Sequence, residues 1–240
     1  MKRWMYSFEK GDGKNKMLLG GKGANLCEMT QIGLAVPPGF TITTEACLAY
    51  LDKGHLPDGI WEDVQAHVKE LEQKTGKGFG SADNPLLVSV RSGSAMSMPG
   101  MMDTILNLGL NDQSLQGLIK QTKNERFAQD AYRRFIQLFG KIALGIADEI
   151  FDAKMTEIKA KYGAKQDVDL KAEHLQELAT AYLAIVHAHS GKPFPQDPYE
   201  QLEIAVKAVF RSWNGKRAID YRKQFRITTA MANGTAVNIC

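Results

Sequence analysis

Apolar residues along the first part of the chain alternate between short strand-like runs and longer helical repeats. The runs bounded by Gly, Pro, Asn or Asp predict strands at residues 4–8, 40–43, 86–90 and 105–110. Apolar positions three or four apart predict helices at residues 24–32, 44–51 and 60–71. The glycines between residues 20 and 23 predict a tight turn before the first of these helices. This alternation is typical of an α/β unit.

The pattern changes after residue 112, where strand-like runs disappear and helical spacing continues to about residue 191. One predicted apolar face of this part consists of Phe127, Ala131, Phe135, Leu138 and Ile142. A single long helix is predicted from residue 198 to about 226, and the tail at 235–239 resembles a strand with nothing to pair with. We therefore predict three segments: an α/β subdomain at 1–112, an inserted helical subdomain at 113–196, and a return to the first subdomain at 197–240. The unpaired strand also predicts that the chain is part of a longer polypeptide.

Composition narrows the classes of function. Thirty Lys and Arg against 27 Asp and Glu give a net charge of +3. This charge is too small to indicate a nucleic-acid-binding protein on its own, because such proteins usually carry a clustered basic face. Three cysteines cannot all pair within one chain and favour free thiols in a reducing compartment. No apolar stretch is long enough to span a membrane, and the amino terminus lacks the apolar core of a secretory signal. We expect a cytoplasmic protein without membrane or nucleic-acid partners.

The first motif that could carry chemistry is Leu-Gly-Gly-Lys-Gly-Ala-Asn-Leu at residues 19–26. Glycines allow a ligand to approach the backbone, a helix amino terminus attracts anions, and Lys22 adds a positive charge. The stretch is neither a Walker A loop nor a dinucleotide-binding fingerprint. Taken alone, it is more typical of a tight turn with a solvated lysine.

The second motif runs from residue 88 to 104, where an apolar strand leads through Arg91 into a loop rich in Ser, Gly and Met. An arginine at a strand end can bind phosphate oxygens through its forked guanidinium group. The alternatives are an arginine paired with a surface carboxylate and methionines that fill a core. The composition of so long a loop favours a functional role.

Two further groups are weaker candidates. His187 and His189 are two residues apart on a predicted helix, so they lie on different faces, and no cysteine or acidic cluster supports a metal site. Arg133 and Arg134 beside Tyr132 predict a small basic spot on an exposed helix face. A docking site there is the alternative.

The two motifs resemble the amino-terminal nucleotide-binding region of the pyruvate, phosphate dikinase family. Residues 36–43, 127–136, 205–213 and 234–238 resemble it too, so the resemblance covers nearly the whole chain. The sister family, phosphoenolpyruvate synthase, shares the first stretches, but it has a different and more acidic sequence where this chain has Ser-Met-Pro-Gly-Met-Met-Asp-Thr at 97–104. That segment favours the dikinase.

The resemblance implies the first half of an ATP-grasp fold with an inserted helical subdomain, in which residues 1–112 help to bind the nucleotide. It implies nucleotide contacts at Lys22, Arg91, Ser92, Gly100, Met101, Asp103 and Thr104, with Arg91 also catalytic. In the family, ATP transfers its β-phosphoryl group, carrying the γ-phosphate, to a histidine on a swivelling domain and releases AMP. Orthophosphate then removes the γ-phosphate, and the phosphohistidine phosphorylates pyruvate at a distant barrel.

Several parts of that enzyme have no match in this sequence. None of the five histidines has the Thr-Ser-His setting of the phosphohistidine, and the acidic ligands of Mg²⁺ belong to the second half of the ATP-grasp. We expect ATP with Mg²⁺ as the cofactor, no metal ligands in this chain, and no turnover by this chain alone. The expected partner is the phosphohistidine domain of a homo-oligomeric enzyme, docked near Arg133 and Arg134. The alternatives are a fragment of phosphoenolpyruvate synthase and a free-standing, non-catalytic nucleotide-binding module.

Overall fold

The structure, a computed structural model, describes residues 2–240. Its strands are β1 (Met5–Ser7), β2 (Phe40–Ile42), β3 (Gly78–Phe79), β4 (Pro85–Leu86), β5 (Val88–Gly93), β6 (Thr104–Leu108) and β7 (Ala236–Ile239). Its α-helices are α1 (Lys16–Gln31), α2 (Thr44–Lys53), α3 (Ile60–Thr75), α4 (Asp112–Thr122), α5 (Glu125–Ala143), α6 (Asp148–Tyr162), α7 (Ala172–Ser190), α8 (Pro198–Ser212) and α9 (Lys216–Gln224). The predicted mixture of helices and strands is confirmed.

The described residues form two compact units, each built from separate stretches of the chain. The first unit contains residues 2–76, 88–104 and 203–240, and the second contains residues 77–87 and 105–202. The predicted division into three domains stays a prediction.

The sheet of the first unit has the strand order β1-β2-β7-β5, and each neighbouring pair is antiparallel. The prediction that the tail strand lacks a partner is wrong, since β7 pairs with β2 on one side and β5 on the other. All four residues of β7 are buried. The last residues of the chain therefore form an interior strand of this sheet, which joins stretches far apart in sequence.

Helix α1 contains the glycines that were predicted to form a turn. Asn15 caps its first turn, because its Oδ1 accepts the Leu18 N–H at 3.1 Å. Gly20 then departs from helical geometry, with φ 68° and ψ 163°, and the chain continues as a second helical stretch to Gln31. The predicted turn is thus a kink at one glycine inside the helix rather than a loop before it.

Helices α2 and α3 follow the sequence pattern closely. Thr43 caps α2, since its Oγ1 accepts the Ala46 N–H at 3.3 Å. The apolar spacing at residues 60–71 predicts a buried face made of Ile60, Trp61, Val64, Val68 and Leu71. Helix α3 buries all of these except Trp61, which is half-buried. It ends at Gly76, whose φ of 66° is readily adopted by glycine.

The prediction of a single long helix after residue 198 is wrong, because the helix is interrupted between α8 and α9. The N–H groups of Asn214 and Gly215 bond to carbonyls three residues back, and Gly215 adopts an extended conformation. Arg222 of α9 stacks on the Trp213 ring at 3.9 Å from its centroid and donates to the Trp213 carbonyl at 2.7 Å. These contacts fix the corner within the first unit.

The second unit is mainly helical and contains α4 to α7. Its core includes a cluster of rings at Phe135, Phe139 and Phe194, with centroid distances of 5.2 to 5.7 Å. Phe127 was predicted to share that apolar face but is 50% exposed. No α-helix within residues 2–240 has the length and apolar character needed to cross a membrane.

Candidate functional site

The two motifs meet in the first unit, where α1 lies against the end of β5. The Gly21 N–H donates to the Ser94 carbonyl oxygen at 2.8 Å. A Cβ atom at Gly20 would lie 2.0 Å from the Gly93 carbonyl oxygen, so a side chain there would collide with the strand. Glycine at position 20 thus permits both the kink and the close approach.

A second glycine lets α1 pack on the sheet. Thr41, Asn238 and Arg91 lie side by side on β2, β7 and β5. The Thr41 hydroxyl donates to Asn238 Oδ1 at 2.9 Å in the buried interior. A Cβ atom at Gly23 would lie 2.7 Å from that Oδ1 atom and 2.8 Å from Thr41 Oγ1. The helix therefore sits directly on a buried polar pair.

A cavity of about 630 Å³ opens beside this contact. Its lining comes from α1 and from residues 92–104, all within the first unit. Four of the predicted site residues line it, namely Lys22, Ser92, Gly100 and Thr104. The structure therefore brings the predicted site residue of the first motif, Lys22, together with three predicted site residues of the second motif.

Arg91, the predicted catalytic residue, is near this cavity but is not among its lining residues. It is half-buried, and its Nε donates to Ser89 Oγ at 3.0 Å. Its positive charge nevertheless acts on Lys22. In this conformation the guanidinium group is engaged with a neighbour on its own strand.

Burial and, to a smaller extent, the charge of Arg91 lower the pKa of the Lys22 ammonium below its ordinary value, and Cys240 partly opposes this shift. Lys22 as a residue remains exposed, so its loss of hydration is incomplete. Two neighbouring positive groups without an intervening carboxylate favour an anionic ligand. This electrostatic setting suits a phosphate group.

Met101 and Asp103 are also outside the cavity lining. Asp103 instead accepts a hydrogen bond from Arg217 Nη2 at 3.1 Å, and Arg217 Nη1 donates to the Gly100 carbonyl at 3.3 Å. Arg217 thereby ties α9 to the loop that contains Gly100. Sequence reasoning missed this contact, because nothing in the pattern around residue 217 points to a loop more than a hundred residues earlier.

The cavity also contains polar residues that were not predicted. Lys16, Asn25, Ser94 and Ser97 line it, and Lys16 adds a second exposed ammonium group. Asn25 belongs to the first motif and Lys16 precedes it, whereas Ser94 and Ser97 belong to the Ser- and Gly-rich loop of the second. The composition of that loop was therefore a usable signal for the serines, whereas helical geometry was needed to place Lys16 and Asn25.

The second unit has its own cavity of about 670 Å³, lined in part by Arg133, Arg134, Asp148 and Asp167. The prediction that Arg133 lies on an exposed face is wrong, since its side chain is only 6% exposed. Its Nη2 lies 2.7 Å from Asp130 Oδ1 and 3.2 Å from Asp167 Oδ2. Two carboxylates therefore compensate the buried charge.

Arg134 is exposed and pairs with Asp130, with 3.0 Å between Nε and Oδ2. The hydrogen bond from Lys159, and to a smaller extent the charge of Arg133, hold the pKa of Asp167 below its ordinary value. The positive and negative side chains around this second cavity therefore nearly cancel in charge. It offers less unpaired positive charge to an anion than the cavity at Lys22.

Within residues 2–240, no three His, Cys, Asp or Glu side chains are arranged so that they could hold a metal ion. His187 and His189 are exposed. The His, Cys, Asp and Glu side chains of residues 2–240 therefore form no Mg²⁺ site of three or more protein ligands.

Comparison with known proteins assigns the family. The sequence profile described as "Pyruvate phosphate dikinase, AMP/ATP-binding domain" matches residues 16–66 and 55–240. The chain is 56% identical over 236 residues to pyruvate, phosphate dikinase of Entamoeba histolytica, covering 98% of this chain and 27% of that protein. It is 48% identical over 241 residues to the enzyme of Clostridium symbiosum, covering 100% of this chain and 27% of that protein.

A plant relative, pyruvate, phosphate dikinase 1, chloroplastic, of Zea mays, is 48% identical over 243 residues, which cover 99% of this chain and 25% of that protein. The chain thus spans about a quarter of the length of the curated relatives it matches. The resemblance inferred from the two motifs is confirmed. The chain belongs to the family of the pyruvate phosphate dikinase AMP/ATP-binding domain.

Proposed function

We propose that this chain binds the polyphosphate of ATP and forms one wall of the nucleotide site of a pyruvate, phosphate dikinase. The observation that carries the proposal is the meeting of the Gly-Gly-Lys-Gly stretch of α1 with residues 92–104 around one cavity. Membership of an AMP/ATP-binding family supports a nucleotide as the occupant of that cavity. Its volume of about 630 Å³ lies within the range of small-molecule sites.

We assign the charge-neutralising role to Lys22 and Arg91. Lys22 already lines the cavity, whereas Arg91 has to exchange its bond to Ser89 for one to phosphate. Charged hydrogen bonds to phosphate are stronger than neutral ones, which would favour this exchange. Arg91 would then also stabilise the charge that develops during phosphoryl transfer.

The remaining assigned contacts belong to the loop after β5. Ser92, Gly100 and Thr104 line the cavity and are assigned to the phosphates. Met101 and Asp103 lie outside the cavity lining, and Asp103 already pairs with Arg217. We assign them to shaping the loop around the nucleotide.

In the whole enzyme, the proposed reaction converts ATP, pyruvate and orthophosphate into AMP, phosphoenolpyruvate and diphosphate. The histidine that carries the phosphoryl group is proposed to lie on another domain. The described residues form no Mg²⁺ site of three or more protein ligands, so the metal ligands are proposed to come from outside this chain. Residues 2–240 would contribute binding and orientation of the polyphosphate.

The finer description of the fold is part of the proposal. We infer that the chain forms the first half of an ATP-grasp fold, that the helical unit is an insertion, and that residues 197–240 return to the first subdomain. The interior position of β7 supports such a return. A cytoplasmic location is proposed as well, supported by the three free cysteines.

The phosphohistidine domain is proposed to dock near Arg133 and Arg134. Arg134 is the better candidate for direct contact, because its side chain is exposed and Arg133 is buried between carboxylates. We propose that the assembled enzyme is a homo-oligomer, as first inferred from the resemblance. Sedimentation of the assembled enzyme would test that inference.

Titration of ATP onto this chain tests the proposed function. We expect weak, salt-sensitive binding that is lost in Lys22→Ala, because exposed phosphate contacts are screened by salt. A matched control is Lys14→Ala, which removes an exposed lysine near the start of α1 but outside the cavity lining. Absence of binding, or equal loss in both variants, would contradict the assignment of this cavity.

Two alternatives make different predictions. A phosphoenolpyruvate synthase fragment would serve an enzyme whose turnover does not require orthophosphate as a phosphoryl acceptor in the first step. A free-standing module would bind nucleotide without supporting any turnover when combined with the rest of the enzyme. Assay of the assembled enzyme with and without orthophosphate distinguishes the three.

A further inference from the structure

The hydroxyl of Ser94 is buried without a hydrogen-bond partner. Within residues 2–240, buried side-chain oxygens or nitrogens that lack a partner occur at Ser94 Oγ and Asn233 Oδ1. Ser94 lines the cavity beside α1, and Asn233 does not. A buried hydroxyl left without a partner destabilises the folded protein, so such groups are uncommon and are often found at functional sites.

The backbone around this hydroxyl is held in place from two sides. The Ser94 carbonyl accepts the Gly21 N–H at 2.8 Å, and the residue as a whole is 6% exposed. The preceding Gly93 N–H donates to Thr235 Oγ1 at 3.1 Å. The main chain that carries the hydroxyl is therefore fixed by its own hydrogen bonds, while Oγ itself has none.

The surroundings of Ser94 identify the chemistry of a partner. Lys16 and Lys22 line the same cavity, and no carboxylate is among the residues that line it. A serine hydroxyl can donate one hydrogen bond, and the positive charge of the two lysines favours an acceptor that is anionic. A phosphate oxygen meets both requirements.

We propose that Ser94 is a ligand-contacting residue whose hydroxyl donates a hydrogen bond to a phosphate oxygen of ATP bound in this cavity. The inference rests on the proposed function and adds a specific contact to it. The backbone that carries the hydroxyl is already fixed, so little backbone entropy is lost when the ligand binds. Because Oγ itself is buried in the free chain, the Ser94 side chain or the loop around it has to move slightly to expose the hydroxyl to the phosphate. The unsatisfied group of the free protein becomes satisfied in the complex.

The test compares Ser94→Ala with Ser97→Ala in the full 240-residue chain. Ser97 lines the same cavity from the same loop but is exposed, so its hydroxyl can bond to water in the free state. Calorimetric titration measures ATP affinity, and thermal unfolding without ligand measures the stability of each variant. We expect Ser94→Ala to weaken ATP binding by about tenfold or more, the range for a hydrogen bond to a charged group.

Thermal unfolding separates a ligand contact from a structural hydroxyl. Removal of an unpaired buried hydroxyl is expected to leave the Tm of the free chain unchanged or raise it, while affinity falls. A fall in Tm in Ser94→Ala would reveal an internal partner and overturn the inference. Equal ATP affinity in Ser94→Ala and Ser97→Ala would also overturn it, while leaving the proposed function intact. Failure of the unsubstituted chain to bind ATP would instead refute the proposed function, and the inference with it.

Discussion

Gly21 donates its backbone N–H to the carbonyl oxygen of Ser94, with 2.8 Å between the two atoms. This hydrogen bond joins the start of the second helical stretch of α1 to the end of β5. It brings together two stretches that were separate candidates in the sequence. The proposed polyphosphate site depends on this junction, because its cavity is lined from both sides of it.

The junction requires glycine at position 20. Gly20→Ala would place a Cβ atom 2.0 Å from the Gly93 carbonyl oxygen at a φ of 68°, so we expect a loss of at least about 2 kcal/mol in the free energy of unfolding. Gly33→Ala is the matched control, because Gly33 also has a positive φ, 85°, but no atom within 4 Å of the added Cβ. Urea denaturation measures both variants. Equal losses would show that backbone strain alone, and not the contact with β5, makes Gly20 necessary.

The charge of Lys22 gives a pH dependence to ATP binding. The protonated ammonium attracts phosphate, and its pKa is lowered below the ordinary lysine value of 10.5. Affinity should therefore fall as the pH rises through that lowered pKa, beginning earlier than for an unperturbed lysine. In Lys22→Arg, whose guanidinium stays charged, the fall in affinity below pH 10.5 should be reduced. A parallel fall in both proteins would assign the titration to another group.

Arg217 is expected to order the loop around Gly100. Its ion pair with Asp103 is 62% exposed on the arginine side, so Arg217→Ala should cost less than about 1 kcal/mol of global stability. Amide hydrogen exchange in residues 96–104 should nevertheless become faster, because two hydrogen bonds to that loop are lost. Lys216→Ala, which breaks only a pair with Asp220 within α9, is the control and should leave the loop's exchange unchanged.

Asp167 stabilises the second unit by compensating Arg133. In Asp167→Asn the buried guanidinium keeps only the Asp130 carboxylate, and we expect a loss of roughly 1–3 kcal/mol in the free energy of unfolding. Low pH should have the same effect, because the pKa of Asp167 is lower in the folded chain than in the unfolded chain. The ionised carboxylate therefore stabilises the fold above the unfolded-state pKa, and this stability is lost as the pH falls through the folded-state pKa. Denaturation at pH 7 and at about pH 3 checks both statements. A variant as stable as the parent would show that Asp130 alone suffices.

Part of this fold could be predicted because local patterns decide it. The apolar spacing at Ile60, Val64, Val68 and Leu71 identifies the buried face of α3 without reference to the rest of the chain. The apolar run before Arg91 likewise marks β5. In both cases the residues that determine the structure lie within one element.

The missed features depend on residues far apart in sequence. The burial of Arg133 needs Asp167, and the pairing of β7 needs both Phe40–Ile42 and β5. The kink at Gly20 follows from the approach of β5, since glycine inside a helix can also remain helical. Of the proposed site residues, Lys22 and Gly100 line one cavity. Arg91 is not among the lining residues and donates to Ser89 on its own strand.

The isolated chain is expected to lack dikinase activity. The metal ligands and the phosphohistidine are proposed to lie outside this chain, so phosphoryl transfer would lack a fixed metal and its nucleophile. The assay measures AMP release from ATP, pyruvate and orthophosphate, with the full-length enzyme of a relative as positive control. Turnover by the purified chain that disappears in Arg91→Ala would contradict this account of what the chain contributes.

Backbone amide NMR during titration with ATP tests the central claim most directly, because it locates the bound nucleotide by residue. We predict saturable shifts of the amides of Gly21, Lys22, Ser94 and Gly100, and little change at Arg134 in the second unit. Saturable binding that leaves those four amides unmoved, or that shifts the amides around Arg134 instead, would contradict the assignment of the polyphosphate to the cavity between α1 and residues 92–104.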